Sequence, residues 1–202
     1  DIAVGREVLA AGTRLTAAHV GVAASVGAAQ LKVYRRLRVA LFSTGDELAM
    51  PGEPLKPGGI YNSNRYTLRA LLEGLGCVVA DLGIVPDTRE ATRAALRDAA
   101  AGNDLILTSG GVSVGEEDHV KPAVEAEGAL DLWKIAIKPG KPLAFGAVGG
   151  NLGAGDTAGK GAAAFIGLPG NPVSSFVTFV MLVRPFILKS QGATELRPRA
   201  RG

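Results

Sequence analysis

Two hydroxyls and two adjacent carboxylates stand together in the segment Ser43-Thr44-Gly45-Asp46-Glu47. The segment follows a short apolar run, so we expect it at the end of a buried strand. Carboxylate oxygens at such a position can hold a hard cation, and the backbone N–H groups of Thr44 and Gly45 can bind an anion. An ordinary capped turn with solvated acids has the same composition, and the residue types alone leave both interpretations open.

A glycine-rich turn, Ser109-Gly110-Gly111-Val112-Ser113-Val114-Gly115, lies between a predicted strand and a predicted helix. Glycine lets backbone N–H groups approach a phosphate closely, and serine hydroxyls add further donors. Glu116, Glu117 and Asp118 follow immediately, so a phosphate bound here needs a divalent cation to offset their charge. A flexible tight connection is the alternative interpretation.

Lysines are concentrated after Trp133. In a strand over 133–141, Lys134 and Lys138 share one face, with attachment points about 13 Å apart at about 3.3 Å per residue. Lys141 follows directly in the segment Lys138-Pro139-Gly140-Lys141-Pro142. Three ammonium groups near one stiff turn suit a phosphate or another oxyanion, and a solvated strand edge is the alternative.

The segment 168–175 joins a predicted strand to the last predicted helix. The N–H groups at that helix start can bind an anion, with Asn171 and Ser174 close by, but simple N-capping requires the same residues. Asp87 follows another predicted strand, where a turn with a helix cap is the ordinary interpretation. Cys77 lies in an apolar run, so we expect it to pack in the core and not to react.

Short β-rich runs alternate with helical periods along the chain, and this pattern predicts an α/β fold: a three-layer sandwich with a mainly parallel (mixed) sheet. The leucines of 68–75 recur at helical spacing, with Gly76 at the C-terminal end. We expect N-caps at Thr16, Asn64, Thr88 and Asn171, extended segments over 31–34 and 39–43, and a bend or end of the last helix at Pro185.

Ligands of open α/β sheets bind at the carboxyl ends of the strands. The strand ends of this sequence are expected at Ser43–Glu47, at Asp87, at the turn starting with Ser109 and at 168–171. These segments are therefore expected to meet in one crevice.

Composition narrows the classes of function. A chain of 202 residues, 47% apolar and 20% charged, is long enough for one main core. One cysteine and two histidines allow neither an internal disulfide nor a Cys/His zinc site, and they favour a reducing, cytoplasmic location. A net charge of +3, 5% aromatic residues and no uninterrupted apolar run near membrane-spanning length make nucleic-acid and membrane partners unexpected.

Five segments, in this order, resemble the molybdopterin molybdenumtransferase family of the MoeA and gephyrin E-domain type: 42–48, 60–65, 109–115, 138–142 and 167–174. The resemblance spans Gly5 to Lys189 and implies a MogA-like molybdopterin-binding fold. It implies a lead-in helix and strand over 1–37, the α/β molybdopterin-binding domain over 38–189, and the start of a C-terminal domain or tail over 190–202.

The resemblance implies a role in molybdenum cofactor biosynthesis: molybdate is inserted into adenylylated molybdopterin, AMP is released, and Mg²⁺ assists. Carried over to matching positions, the implied catalytic residues are Glu47, Asp87, Asp118, Lys134 and Lys138, and the three carboxylates among them are also the implied metal ligands. The expected cofactor-binding residues are Ser43, Thr44, Gly45, Ser109, Gly110, Gly111, Ser113, Gly115, Lys141, Pro169, Gly170, Asn171, Pro172 and Ser174.

The resemblance also implies partners: small-molecule substrates, a second copy of the chain in a homodimer or other homo-oligomer, and a molybdopterin adenylyltransferase. Two other functions stay open, namely molybdopterin adenylyltransferase activity itself and a noncatalytic scaffold. The segment 138–142 favours the molybdate-using step. Because the family's further domains are absent from this sequence and 151–161 looks like an insertion, we expect the 202-residue chain alone to bind the pterin weakly and to transfer molybdenum slowly or not at all.

Overall fold

The computed structural model describes residues 2–112, 119–134, 142–149 and 162–197. Its helices and strands follow the chain in this order: α1 Ala17–Ser25, β1 Arg38–Thr44, β2 Leu48–Ala49, β3 Ile60–Tyr61, α2 Ser63–Gly74, β4 Val78–Val85, α3 Arg89–Gly102, β5 Leu105–Ser109, α4 Val120–Glu127, β6 Gly128–Lys134, β7 Pro142–Val148, β8 Ala163–Leu168, α5 Pro172–Thr178, a π-helical segment Phe179–Val183 and α6 Arg184–Ser190.

Six strands form the main sheet in the order β4-β1-β5-β8-β7-β6, and β2 pairs with β3 in a separate small sheet. The strands β4, β1, β5 and β8 are parallel, whereas β7 runs antiparallel to both β8 and β6. The carboxyl ends of β4, β1, β5, β8 and β6 therefore lie along one edge of the sheet, here called the carboxyl edge. The predicted mainly parallel, mixed sheet is confirmed.

The central strands are apolar throughout because both faces of the sheet are covered. Val39 and Leu41 of β1 point into one buried cluster, which also contains Leu68 and Leu72 of α2. Ala40 and Phe42 point into a second cluster, with side chains of α3 and α4. The alternation of side chains along one strand thus builds two cores, and the three-layer sandwich is confirmed.

The helix α2 begins earlier than expected. Asn62, and not Asn64, is its N-cap: the Asn62 Oδ1 accepts a hydrogen bond from the Arg65 backbone N–H at 3.2 Å. The expected cap at Asn64 is wrong because Asn62 already supplies the oxygen that the first turn needs. The expected end is correct, since Gly76 has a φ of 80° directly after the helix. The caps at Thr16, Thr88 and Asn171 are confirmed.

A bend or an end of the last helix was expected at Pro185, and the helical run does not end there. It continues from Pro172 to Ser190, and the π-helical segment Phe179–Val183 stands directly before the turn that contains Pro185. A widened turn accommodates the proline ring and its missing N–H, so the chain stays helical.

The same 19-residue run is the one helix among the described residues that is long and apolar enough to cross a membrane by length and composition. Its side chains Phe179, Val183 and Ile187 are buried in the first core cluster. We therefore interpret it as a core helix of the α/β fold.

The lead-in segment before β1 forms no strand over residues 31–34, although an extended segment was expected there. A strand needs a hydrogen-bonding neighbour, and residues 31–34 are not paired with any strand of the two described sheets. The segment is attached by Arg35, whose guanidinium donates to the Asp104 carboxylate at 2.6 Å. Burial opposes ionisation of Asp104, but the bonds from Arg35 and from the Arg38 N–H outweigh it and lower the pKa of that carboxyl.

Candidate functional site

A cavity of about 340 Å³ lies at the carboxyl edge of the sheet. It is lined by the turn after β1, by β3 and the start of α2, by the end of β5, and by the loop after β8. The lining residues are Thr44, Glu47, Leu48, Ile60, Tyr61, Asn62, Ser63, Asn64, Ser109, Gly110, Gly170, Asn171 and Pro172. The parallel strand order brings these segments together, although they are spread over most of the chain.

The turn after β1 holds the Glu47 carboxylate against Gly45. Gly45 has a φ of 144°, and a Cβ atom at that position would lie 2.6 Å from the Glu47 Oε2. The positive φ is what favours glycine here, since the carboxylate ends a flexible, exposed side chain that can move away from a Cβ. Glu47 is exposed and lines the cavity, so its charge is available to a cation or a ligand.

The glycine-rich turn packs closely on the end of β1. Gly110 and Gly111 have φ values of 89° and 66°. A Cβ at Gly110 would lie 2.8 Å from the Thr44 carbonyl oxygen, and one at Gly111 would lie 2.6 Å from the Thr44 Oγ1. The Gly110 N–H donates to the Leu168 carbonyl at 3.1 Å, which ties the turn to the end of β8. These two glycines therefore have a packing role in the structure, whatever the turn binds.

Two asparagines at the start of α2 occupy the wall between these segments. The Asn64 Nδ2 donates to the Ser109 Oγ at 2.7 Å and to the Gly170 carbonyl at 2.8 Å. The Asn62 Oδ1 also accepts from the Ser43 hydroxyl, at 3.5 Å. Neither asparagine was expected in the site, although both lie in the segment 60–65 that carries part of the family resemblance. Asn64 was expected only as a helix cap, and Asn62 was given no role of its own.

Two polar atoms of the cavity residues are buried without a hydrogen-bond partner among the described residues: the Thr44 Oγ1 and the Asn62 Nδ2. Leaving a buried polar atom unpaired costs about 1–3 kcal/mol. The Asn62 Oδ1 is already occupied by the helix cap, so the orientation of its amide is set. Unpaired buried polar atoms beside a cavity fit a site that takes a polar ligand.

Several expected site residues lie near this cavity without lining it. Ser43 and Pro169 are buried behind it. The Ser174 N–H and hydroxyl both donate to the Asn171 Oδ1, at 3.1 and 3.3 Å, so Ser174 takes part in capping α5. Asp87 follows β4 at the same edge and is partly buried, but it is not among the cavity residues.

Lys134 ends β6, and its register partner Pro142 begins β7. Since β7 also pairs with the end of β8, through Ala144 and Gly167, the backbone of Lys134 lies at the carboxyl edge. The expected site residues Ser113, Gly115, Asp118, Lys138 and Lys141 lie outside the described residues. Over 2–112, 119–134, 142–149 and 162–197, no group of three metal-ligating side chains is present.

Comparison with known proteins decides the family. The family model described as "Probable molybdopterin binding domain" matches residues 40–189. The chain belongs to this family. The match covers the whole sheet apart from the first residues of β1, together with every segment that lines the cavity.

Two named relatives illustrate the similarity. The molybdopterin molybdenumtransferase of Haemophilus influenzae is 48% identical over 192 residues, which cover 95% of this chain and 45% of that protein. The gephyrin of Dictyostelium discoideum is 35% identical over 208 residues, which cover 95% of this chain and 29% of the relative. The chain therefore spans less than half the length of these relatives.

Solved structures agree on the architecture. A molybdopterin biosynthesis MoeA protein from Pyrococcus horikosii superposes with a TM-score of 0.74 at 32% identity, covering 91% of this chain and 43% of that one. The molybdopterin biosynthesis enzyme MoaB from Thermus thermophilus superposes with a TM-score of 0.54 at 20% identity, covering 80% and 99%. The second similarity concerns the fold alone, and it agrees with the expected MogA-like fold.

Proposed function

We propose that this chain forms the molybdopterin-binding part of a molybdopterin molybdenumtransferase, which inserts molybdate into adenylylated molybdopterin and releases AMP. One observation carries the proposal. Residues from four of the five segments that resemble this family line the same cavity at the carboxyl edge. The fifth segment, 138–142, follows Lys134, whose backbone lies at that edge.

The cavity suits part of such a substrate. Its volume of about 340 Å³ lies in the range of small-molecule sites. Leu48, Ile60 and Pro172 give it apolar wall, and Thr44 and Asn62 add polar atoms that have no partner among the described residues. A flat heteroaromatic ring can pack on these apolar side chains, while its oxygen and nitrogen atoms form hydrogen bonds with the polar atoms of Thr44 and Asn62.

The anionic parts of the substrates are assigned to the glycine-rich turn and the lysines. The phosphate is assigned to the Ser109 hydroxyl and to Gly111, Ser113 and Gly115, because the Gly110 N–H already donates to the Leu168 carbonyl. Lys134, Lys138 and Lys141 gather molybdate and stabilise the negative charge that develops on the leaving phosphate. The loop 169–172 closes the site from the end of β8.

The chemistry needs no nucleophile from the protein. Holding molybdate against the dithiolene sulfurs of the activated pterin supplies proximity, and the oxygen that attacks phosphorus comes from molybdate or from water. The chain's own residues then have three tasks: to orient the pterin, to bind the anions, and to keep the attacking oxygen in line with the phosphorus–oxygen bond that breaks.

One expected carboxylate among the described residues, that of Glu47, lies where Mg²⁺ could be held. Mg²⁺ in phosphate-transfer sites is usually held by one or two protein carboxylates, with substrate phosphates and waters completing its shell. Glu47 offers one exposed carboxylate on the cavity. We assign Glu47, Asp87 and Asp118 as the carboxylates that would hold it. When bound, Mg²⁺ withdraws charge from the phosphoanhydride.

We further propose that the protein works in the cytoplasm as a homodimer or other homo-oligomer, and that it receives its substrate from a molybdopterin adenylyltransferase. The names of the relatives support the metabolic part of this proposal, since they place similar proteins in molybdopterin metabolism. An adenylylated intermediate is reactive toward water, which favours its direct delivery to the next site.

The proposal is tested by titrating the 202-residue chain with adenylylated molybdopterin in the presence of Mg²⁺, followed by addition of molybdate and quantification of AMP. We expect weak but saturable binding, and slow AMP release that depends on molybdate. Glu47→Gln keeps the size of the side chain and removes its charge, so binding and AMP release should fall about 10-fold or more. Glu125→Gln, at an exposed position of α4 away from the cavity, is the matched control and should behave like the parent chain.

Three results would overturn the proposal. Consumption of ATP with unadenylylated molybdopterin, without need of molybdate, would identify an adenylyltransferase. Tight binding that is indifferent to Glu47→Gln would indicate a noncatalytic scaffold. Absence of any binding up to millimolar substrate would remove the cavity from consideration as the molybdopterin site.

A further inference from the structure

The side-chain amide of Asn64 connects two loops that are distant in sequence from it and from each other. Its Nδ2 donates to the Ser109 Oγ at 2.7 Å, 45 residues along the chain, and to the Gly170 carbonyl at 2.8 Å, 106 residues along. An amide nitrogen carries two hydrogens, and these two acceptors use both. Asn64 is 8% exposed, so the two bonds are largely shielded from water.

The two loops that Asn64 connects both line the cavity. Ser109 and Gly110 begin the glycine-rich turn, and Gly170 lies in the loop after β8. The loops also approach each other directly: the Gly110 N–H donates to the Leu168 carbonyl at 3.1 Å, and a Cβ at Gly170 would lie 3.8 Å from the Gly110 Cα. The strands β5 and β8 pair up to Ser109 and Leu168. Beyond that ladder, the Gly110–Leu168 backbone bond and the Asn64 amide join the two loops.

The amide nitrogen of Asn64 is not arranged to bind a ligand. Both donors of its nitrogen are directed at protein acceptors, whereas the neighbouring Asn62 keeps an amide nitrogen without a partner among the described residues. Asn64 is also unnecessary for starting α2, because Asn62 caps that helix. The Asn64 amide nitrogen neither caps the helix nor keeps a hydrogen for a ligand, and the two loops that it joins explain its position best.

We propose that Asn64 is a positioning residue of this site: its amide holds the Ser109 turn and the Gly170 loop at the separation that the anionic substrate requires. The inference rests on the proposed function, because it concerns the same cavity. Its physical basis is that a binding site must be held within a fraction of an ångström, and displacement by about 1 Å can cost about 100-fold.

The test replaces Asn64 with aspartate, which has the same shape but, when ionised, only accepts hydrogen bonds. The new oxygen would face the Gly170 carbonyl, and repulsion between the two acceptors should move the loops apart. Hydrogen exchange of the free chain should become at least about 10-fold faster for the amides of 109–111 and 170–171. The Kd for adenylylated molybdopterin should rise about 10- to 100-fold.

Asn103→Asp is the matched control. The Asn103 amide also donates to a backbone carbonyl, that of Ala99 at 2.9 Å, but it lies at the end of α3, just before β5 begins and so away from the carboxyl edge. We expect this variant to lose stability without change in the Kd or in the exchange of the two loops. Asn64→Ala removes the donors without adding charge and replaces Asn64→Asp if circular dichroism shows that the aspartate variant does not fold.

The possible results separate the inference from the proposed function. Loops that exchange at the parental rate in folded Asn64→Asp, or an unchanged Kd, would overturn the inference. The same changes in Asn103→Asp would also overturn it, because they would reflect general loss of stability. If the parent chain does not bind adenylylated molybdopterin, the proposed function fails, and exchange of the ligand-free loops still tests whether Asn64 holds them.

Discussion

Replacing Gly110 with alanine should destabilise the fold through two separable effects. The φ of 89° is a left-handed conformation that costs an L-residue about 1–2 kcal/mol. The added Cβ would lie 2.8 Å from the Thr44 carbonyl oxygen, several tenths of an ångström inside an ordinary carbon–oxygen contact. Because that oxygen belongs to the backbone of a central strand, it cannot turn away, and overpacking of this kind costs about 1–3 kcal/mol.

Gly76→Ala isolates the first effect. Gly76 has a φ of 80°, close to that of Gly110, and nothing lies within 4 Å of the position where its Cβ would be. Its substitution should cost about 1–2 kcal/mol, and part of that cost is offset because alanine restricts the unfolded chain. Gly110→Ala should cost about 2–5 kcal/mol. The difference of about 1–3 kcal/mol measures how tightly the glycine-rich turn packs on β1.

The assay is urea unfolding of the parent chain and both variants, followed by far-ultraviolet circular dichroism. The free energies are comparable only if the three transitions have the same slope in urea. Equal destabilisation by the two alanines, within about 0.5 kcal/mol, would show that the turn yields freely at Gly110. The argument that this glycine is required by its contact with Thr44 would then be wrong.

Three further predictions concern the core and its attachment. Burial raises the pKa of the Cys77 thiol to about 11. A thiol-specific disulfide reagent at pH 8 should therefore react with Cys77 only after urea unfolds the chain. Rapid reaction of the folded chain would contradict this prediction. Because the pKa of Asp104 is lowered in the folded chain, its pairing with Arg35 should stabilise the fold above the unfolded pKa of about 4, and this stabilisation should be lost as the pH falls through the lower folded pKa. The difference in urea midpoint between the parent chain and Asp104→Asn should therefore disappear in acid. A difference that persists at low pH would disprove this linkage. Leu72 of α2 is fully buried, so Leu72→Ala should lower the free energy of unfolding by about 2–5 kcal/mol. Leu82 is 40% exposed on the edge strand β4, so Leu82→Ala should lower it by about 1 kcal/mol or less. Equal losses, measured by urea unfolding, would contradict the assigned core.

Much of the fold could be predicted from local sequence patterns. The leucines of α2 recur at helical spacing, and Leu68 and Leu72 are indeed buried. Thr88 and Asn171 cap their helices through hydrogen bonds to amides three residues along. Such features depend on neighbours within one turn, so the chain encodes them wherever the element lies. The cap of α2 was misassigned because Asn62 and Asn64 are equally suited to capping, and only the fold distinguishes them.

The last helix shows where local rules fail. Pro185 breaks an isolated α-helix, but here the π-helical turn before it accommodates the ring. Burial of Phe179 and Val183 against the sheet compensates for the distorted turn. Tertiary packing therefore overrides the local preference at this proline.

The sequence by itself determined the chemical types of the site: acids after one apolar run, a glycine-rich turn after another, and lysines in a third segment. Only the tertiary structure decided which of them share a cavity, because that depends on strand order and direction, which local patterns do not encode. In the tertiary structure, Thr44, Glu47, Ser109 and Gly170 line one cavity at the carboxyl edge of the sheet. Asp87 does not line this cavity. The tertiary structure also gave Asn64 its contacts, since a hydrogen bond to a residue 106 positions away exists only once the sheet has formed.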